Sequence, residues 1–113
     1  MTESRNNRTG NTADPVFRMR IYDTHGVNIQ TSTEIFTRLV YPVHTRYGAE
    51  LVGRWLSDQN ELVVIWKYPN RTAMKSILAS ISEDPELIKS EQERRSAGTR
   101  GNPYTECLMR TEF

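Results

Sequence analysis

The fold of this chain is decided by residues 53–68, whose sequence is GRWLSDQNELVVIWKY. Two runs rich in β-branched and aromatic residues flank four polar turn formers, Ser57 to Asn60, and this pattern predicts a β-hairpin. The second run, Leu62 to Trp66, is apolar at every position rather than alternating, so protein should cover both of its faces. We therefore expect strands over residues 50–56 and 61–68, with the second strand at the centre of a sheet.

Length, charge and cysteine count narrow the class of protein. The 113 residues fit one domain, in which polar residues 1–15 predict a flexible tail and residues 16–113 a folded unit. A net charge of +1 gives no reason to expect nucleic acid as a partner. No apolar run approaches the ~20 residues of a membrane span, and the first residues are polar, so we expect a cytoplasmic protein. One cysteine and two histidines without ligand spacing predict no disulfide, no metal site and no cofactor.

The region before the hairpin predicts one strand and one helix. Residues 17–22 alternate between an apolar face and a face with two arginines and a tyrosine, as a strand does. The sequence from Thr31 to Glu34 fits a capping box, which predicts that a helix begins there. Pro42 should kink this helix near Tyr41, and Gly48 should end it.

The region after the hairpin predicts two helices and a last strand. Asn70 is a favourable first cap, and Asp84-Pro85 begins a further short helix because proline suits the first helical position. A loop over residues 99–103 leads to a fourth strand over 104–110. The resulting order is the ferredoxin-like βαββαβ arrangement of the α+β class, a four-stranded antiparallel sheet with helices on one face. The apolar third strand needs cover on the other face, which predicts a homodimer.

Several positions between Phe17 and Leu87 together form a recognisable pattern. These positions are Gly53 and Trp55 on the second strand, Trp66 and Tyr68 on the third, Asp84 and Pro85 after the second helix, and Arg20 and Tyr22 on the first strand. In this pattern the chain resembles the NIPSNAP family, a branch of the dimeric α/β-barrel superfamily. The resemblance implies a dimer in which two sheets pack into a barrel, with a pocket between sheet and helices in each subunit. Its relatives by fold include oxygenases that use neither metal nor flavin and act on aromatic substrates.

Arg20 is the first candidate for a functional residue. It is predicted to lie on a central strand, where an unpaired guanidinium is costly, so it needs a partner. Glu106 on the neighbouring fourth strand is a candidate. The pair either holds the sheet together or presents a cation to an anionic ligand, and both interpretations stay open.

Aromatic residues and one histidine complete the candidate ligand site. Four aromatic side chains offer enough surface for a flat ligand, although aromatics on strands also build cores and interfaces. They are Tyr22, Trp55, Trp66 and Tyr68. His44 lies at the margin of the first helix's apolar face, where it is either a general base or a structural, hydrogen-bonded side chain.

Two functions from different classes follow. The first is a homodimeric protein that binds a small apolar or aromatic molecule, with a cofactor-independent oxygenase or isomerase as its catalytic version. Its ligand residues are Arg20, Tyr22, Trp66, Tyr68 and His44, with His44 also the candidate catalytic residue. The second is a non-catalytic interaction protein without a pocket. A cavity that holds Arg20 or His44 favours the first function, and a filled interior favours the second.

Overall fold

The computed structural model describes residues 14–98 and 103–112. Most of the predicted tail and of the predicted loop over 99–103 therefore lies outside the described residues. The elements are β1 (Val16–Asp23), α1 (Ile29–Ile35), a π-helical turn (Phe36–Val40), α2 (Tyr41–Arg46), β2 (Glu50–Leu56), β3 (Glu61–Tyr68), α3 (Arg71–Ser82), α4 (Pro85–Ser96) and β4 (Tyr104–Met109). Within the described ranges, no helix is both long and apolar enough to cross a membrane.

The four strands form one antiparallel sheet in the order β2-β3-β1-β4. The first and third strands occupy the middle, as the ferredoxin-like arrangement requires, so the predicted fold class is confirmed. The register places Arg18 opposite Trp66 on β3, and Arg20 opposite Glu106 on β4. Because side chains alternate along a strand, these residues share one face of the sheet.

The hairpin has the predicted strand bounds, and its turn is held by a side chain. The Ser57 hydroxyl accepts hydrogen bonds from the amides of Gln59 and Glu61, and Asn60 takes a left-handed conformation with φ of 61°. Asparagine tolerates that conformation better than most residues. The polar turn residues therefore fix the hairpin register.

A bulge in β2 separates Leu51 from Gly53. Leu51 pairs with Trp66 on the helix side of the sheet, whereas Gly53 pairs with Ile65 on the other side. The indole of Trp55 lies directly over Gly53, in the space that a Cβ atom would fill. The bulge therefore turns Trp55 away from the helices.

The first helix begins earlier than the capping box predicts. The helix starts at Ile29, and Asn28 is its cap, since the Asn28 side chain accepts from the amide of Thr31 at 3.0 Å. Asparagine in extended backbone caps at least as well as threonine, so the polar Thr31 falls inside the first turn instead. Gly48, with φ of 108°, follows the end of α2 as predicted.

The caps predicted for the later helices are confirmed. The Asn70 side chain accepts from the amide of Ala73 at 2.7 Å, and the Asp84 carboxylate accepts from the amide of Glu86 at 2.8 Å. The core that results joins the sheet to α3 and to the first helical stretch, residues 29–46. Its buried members are Val16, Val43, Ala49, Val64, Trp66, Tyr68, Met74, Ile77 and Ile81.

The opposite face of the sheet carries no helix of the described chain. Met19 and Ile65 face each other at its centre and are only partly buried. Trp55 is 48 % exposed there. This face is apolar, and we call it the open face.

Candidate functional site

A cavity of about 520 Å³ lies between the helix face of the sheet and the helices that cover it. All four strands contribute to its floor, and the first helical stretch, α3 and α4 supply its walls. The side chains that face it mix apolar and charged groups. They include Arg18, Arg20, Tyr22, Phe36, Val40, His44, Arg54, Leu62, Val64, Trp66, Leu78, Tyr104 and Glu106.

Two arginines of β1 share one carboxylate on the cavity floor. Arg20 Nε donates to Glu106 Oε1 at 2.7 Å, and Arg18 Nη1 donates to the same oxygen at 3.2 Å. Arg18 is buried, and its Nε also donates to the Tyr68 hydroxyl at 3.0 Å. The predicted pairing of Arg20 with Glu106 is confirmed, and the sheet register is its cause.

Arg20 also contacts two tyrosines. Arg20 Nη1 donates to the Tyr22 hydroxyl at 3.3 Å, and its guanidinium lies 4.2 Å from the ring centre of Tyr104. Burial lowers the pKa of Arg20, but the hydrogen bonds to Tyr22 and Glu106 outweigh burial and raise it overall. Burial acts to raise the pKa of Glu106, and its bonds from both arginines outweigh this and lower it. Arg20 and Glu106 are therefore both charged at neutral pH.

His44 stands over the floor as a neutral imidazole. Its ring stacks on Trp66 with centres 4.3 Å apart and planes 16° apart. Its Nδ1 lies 2.9 Å from the Val40 carbonyl oxygen, so Nδ1 carries the proton and Nε2 is left as an acceptor. Burial lowers the pKa of His44 to about 4, aided by the nearby charges of Arg18 and Arg20 and opposed by the Val40 bond.

The π-helical turn sets the position of His44. The amide of Tyr41 donates to the Phe36 carbonyl, five residues back, and Pro42 follows with no amide hydrogen to donate. The irregularity predicted at Pro42 is thus a π turn just before it. Such turns often occur at functional sites, and this one lets Phe36, Val40 and His44 all face the cavity.

Arg54 lines the cavity from β2. Its Nη1 donates to the Thr33 hydroxyl at 2.8 Å, and its Nη2 donates to the Ser32 hydroxyl at 3.4 Å. The guanidinium lies 4.7 Å from the ring centre of Phe36. Its Nε is buried and has no hydrogen-bond partner among the described residues. Burial lowers the pKa of Arg54 from its ordinary value, but an arginine remains charged.

The structure brings together four of the five predicted ligand residues. Arg20, Tyr22, Trp66 and His44 line the cavity. Tyr68 is fully buried beneath it and contacts Arg18 instead. Trp55, grouped with these aromatics from sequence, is on the open face, because the β2 bulge reverses its direction.

Arg18, Arg54 and Tyr104 also line the cavity and were not among the site residues expected from the sequence. Arg18 could have been predicted, since it lies two residues before Arg20 on the same strand and therefore on the same face. Arg54 could not, because its direction depends on the bulge. No group of three His, Cys, Asp or Glu side chains within the described ranges is placed to hold a metal ion.

The comparisons with known proteins concern the fold. No protein-family profile matches this chain, and no curated protein matches it at a significant level. A NIPSNAP family protein of unknown function from Agrobacterium tumefaciens superposes with a TM-score of 0.74 and 18 % identity, over 88 % of this chain and 89 % of that one. An uncharacterized NIPSNAP-like domain protein from Burkholderia xenovorans gives 0.72 and 16 %, over 88 % and 87 %.

A further solved structure is that of an enzyme. SnoaB from Streptomyces nogalater, a cofactor-independent oxygenase, superposes with a TM-score of 0.58 and 18 % identity, over 89 % of this chain and 96 % of that one. The resemblance seen in the sequence is thereby confirmed in three dimensions. The chain has the fold of the NIPSNAP family proteins.

Proposed function

We propose that this chain is a homodimeric protein that binds a small apolar or aromatic molecule in the cavity beneath the first helix. The observation that carries the proposal is the cavity itself. Its volume of about 520 Å³ falls in the range of small-molecule sites, and the stacked pair of His44 and Trp66 forms part of its wall. A non-catalytic interaction protein needs no such space.

The lining has the composition of a ligand site. Apolar side chains such as Val40, Leu62 and Val64 surround a few fixed polar groups. The Tyr22 hydroxyl and His44 Nε2 are polar atoms beside a flat apolar surface, where they would orient a ligand rather than supply most of its binding energy. This arrangement supports binding of a planar molecule in the cavity.

The homodimer is proposed from the open face. Partly buried apolar side chains, among them Met19 and Ile65, occupy its centre, and Trp55 is 48 % exposed. A second copy packed sheet against sheet would remove this surface from water. An apolar patch of this kind is unusual on a monomer.

The catalytic version is a second candidate, supported by one feature of His44. Cofactor-independent oxygenation and isomerisation both begin with removal of a proton from a substrate carbon, and Nε2 of His44 is an acceptor without a partner among the described residues. A base with a pKa of about 4 is weak at neutral pH, however. The geometry therefore favours binding and orientation over proton removal.

The proposal is tested by blocking the cavity. Leu78 of α3 lines it, and the neighbouring Ala79 is exposed on the outside of the same helix. We expect Leu78→Trp to fill the space and abolish binding of 2-naphthol measured by calorimetry, while Ala79→Trp binds as the original protein does. Native mass spectrometry of the purified protein should show dimers and any retained ligand. Absence of 2-naphthol binding in the original protein, or equal binding in both variants, contradicts the proposal.

A further inference from the structure

The charges around the cavity do not balance. The lining contains four arginines and three carboxylates, and His44 is neutral at physiological pH. On the floor, Arg18 and Arg20 both engage Glu106. Glu91 and Arg94 of α4 add one charge of each sign, and Asp23 adds a negative charge at the end of β1. One positive charge is left over.

Arg54 is the arginine without a carboxylate partner. Its only hydrogen bonds within the described chain go to the neutral hydroxyls of Thr33 and Ser32, and its Nε–H is buried without an acceptor. None of the ion pairs of the described residues includes it. A half-buried cation in this state loses hydration without an opposite charge to replace it.

Two parts of the cavity wall differ in character. Near Arg54 the ring of Phe36 supports the guanidinium from one side, and the bonds to Thr33 and Ser32 use one hydrogen on each terminal nitrogen, so each keeps a second hydrogen for an acceptor. Near His44 the wall is the stacked imidazole and indole. A ligand that suits both parts of the wall is anionic at one point and flat and apolar over the rest of its surface.

Resting on the proposed function, we propose that the natural ligand class is the small organic carboxylates with a planar apolar body, bound with the carboxylate on Arg54. A guanidinium matches a carboxylate in shape and charge. The single unbalanced charge favours a monoanion over the dianion of a phosphate monoester, which would leave the cavity negative.

The test compares three probes of one shape. Calorimetry with 2-naphthoate, the neutral 2-naphthamide and 2-naphthyl phosphate separates the apolar body from the charge and carboxylate from phosphate. We expect 2-naphthoate to bind the original protein about tenfold or more tightly than 2-naphthamide, which is the effect of a charge-assisted hydrogen bond. Arg54→Gln should remove this preference and keep 2-naphthamide binding. Arg71→Gln, on the exposed side of α3, should keep the preference.

The outcomes separate this inference from the proposed function. Equal binding of naphthoate and naphthamide, or tighter binding of the phosphate, overturns the carboxylate assignment and leaves the cavity proposal standing. No binding of any probe overturns both. Arg54→Lys, which retains the charge, should keep part of the preference. If circular dichroism shows that Arg54→Gln is unfolded, Arg54→Lys provides the same test. Its preference for 2-naphthoate over 2-naphthamide should be present at 0.05 M salt and lost at 0.5 M salt.

Discussion

Glu106 stabilises a larger part of the cavity floor than its position in the sequence indicates. One of its oxygens accepts from both Arg18 and Arg20, and Arg18 is only 5 % exposed. Removing Arg20 leaves the carboxylate paired with Arg18. Removing Glu106 leaves two guanidiniums side by side, one of them buried. Removal of Glu106 therefore affects both arginines, whereas removal of Arg20 leaves the pair of Arg18 and Glu106 in place.

We predict that Glu106→Leu lowers the free energy of unfolding by about 2 kcal/mol, because Arg18 is left as a buried charge without an opposite charge beside it, with only the Tyr68 hydroxyl still accepting from its guanidinium. The loss stays below that of a fully buried pair because Glu106 is 37 % exposed. Arg20→Met should cost less, and adding it to Glu106→Leu should not restore stability, since Arg18 remains unpaired. Urea unfolding measures all three variants, with Glu34→Leu on the exposed side of α1 as the control. Equal losses for Glu106→Leu and Glu34→Leu would contradict this network.

The neutral state of His44 predicts how stability changes with pH. Its pKa falls from 6.5 to about 4 in the folded protein, mainly through burial. Above pH 6.5 the imidazole is uncharged in both states, so it adds no pH dependence. As pH falls below 6.5, His44 binds a proton in the unfolded chain but stays neutral in the folded protein. The free energy of unfolding therefore decreases until about pH 4.

Between pH 7 and pH 5 this effect amounts to about 2 kcal/mol, from 1.36 kcal/mol for each pKa unit. His44→Phe keeps an aromatic ring against Trp66 but cannot bind a proton, so its urea midpoint should depend less on pH than that of the original protein. The same pH dependence in His44→Phe and the original protein would show that His44 is not buried in its neutral form.

At the scale of elements, local sequence predicts those parts that local interactions determine. The hairpin strands, the caps at Asn70 and Asp84 and the stop at Gly48 each depend on a few neighbouring residues, and each is found where it was predicted. The start of the first helix was predicted three residues late because two local caps compete. Asn28 prevails over the Thr31 capping box, since a helix that begins at Ile29 gains an extra turn.

The direction of β2 shows where local prediction fails. Strict alternation from the core residue Leu51 would place Gly53 and Trp55 among the helices and Arg54 on the opposite face. The bulge between Leu51 and Gly53 reverses this, so Trp55 lies on the open face and Arg54 lines the cavity. A bulge arises from pairing with β3 and from the fit of the indole over Gly53, both of which need the assembled sheet. The presence of Arg54 in the cavity therefore could not be predicted from the sequence.

For the whole molecule, the order of elements was enough to predict the sheet and its central strands, because few arrangements connect two βαβ units without crossing. The sequence predicted the cavity as part of the first of the two functions, with a filled interior as the alternative. Its existence depends on the separation between the first helical stretch and the sheet, which the π turn at Phe36–Val40 and the stacking of His44 on Trp66 set together. Neither feature has a sequence signature beyond Pro42.

The open face supplies the last prediction, which concerns assembly. Ile65 of β3 lies at the centre of this face, opposite Met19, and its side chain points away from the cavity. We predict that Ile65→Glu converts the proposed dimer into monomers, because a carboxylate at the centre of an apolar interface loses its hydration without a partner. Sedimentation velocity reports the mass, and far-ultraviolet circular dichroism verifies that the sheet is retained. Lys75→Glu, on the exposed side of α3, makes a larger change in charge away from this face and should leave the dimer intact. A dimer of unchanged stability in Ile65→Glu would show that the open face is not the interface, whereas monomers of the original protein would refute the dimer itself.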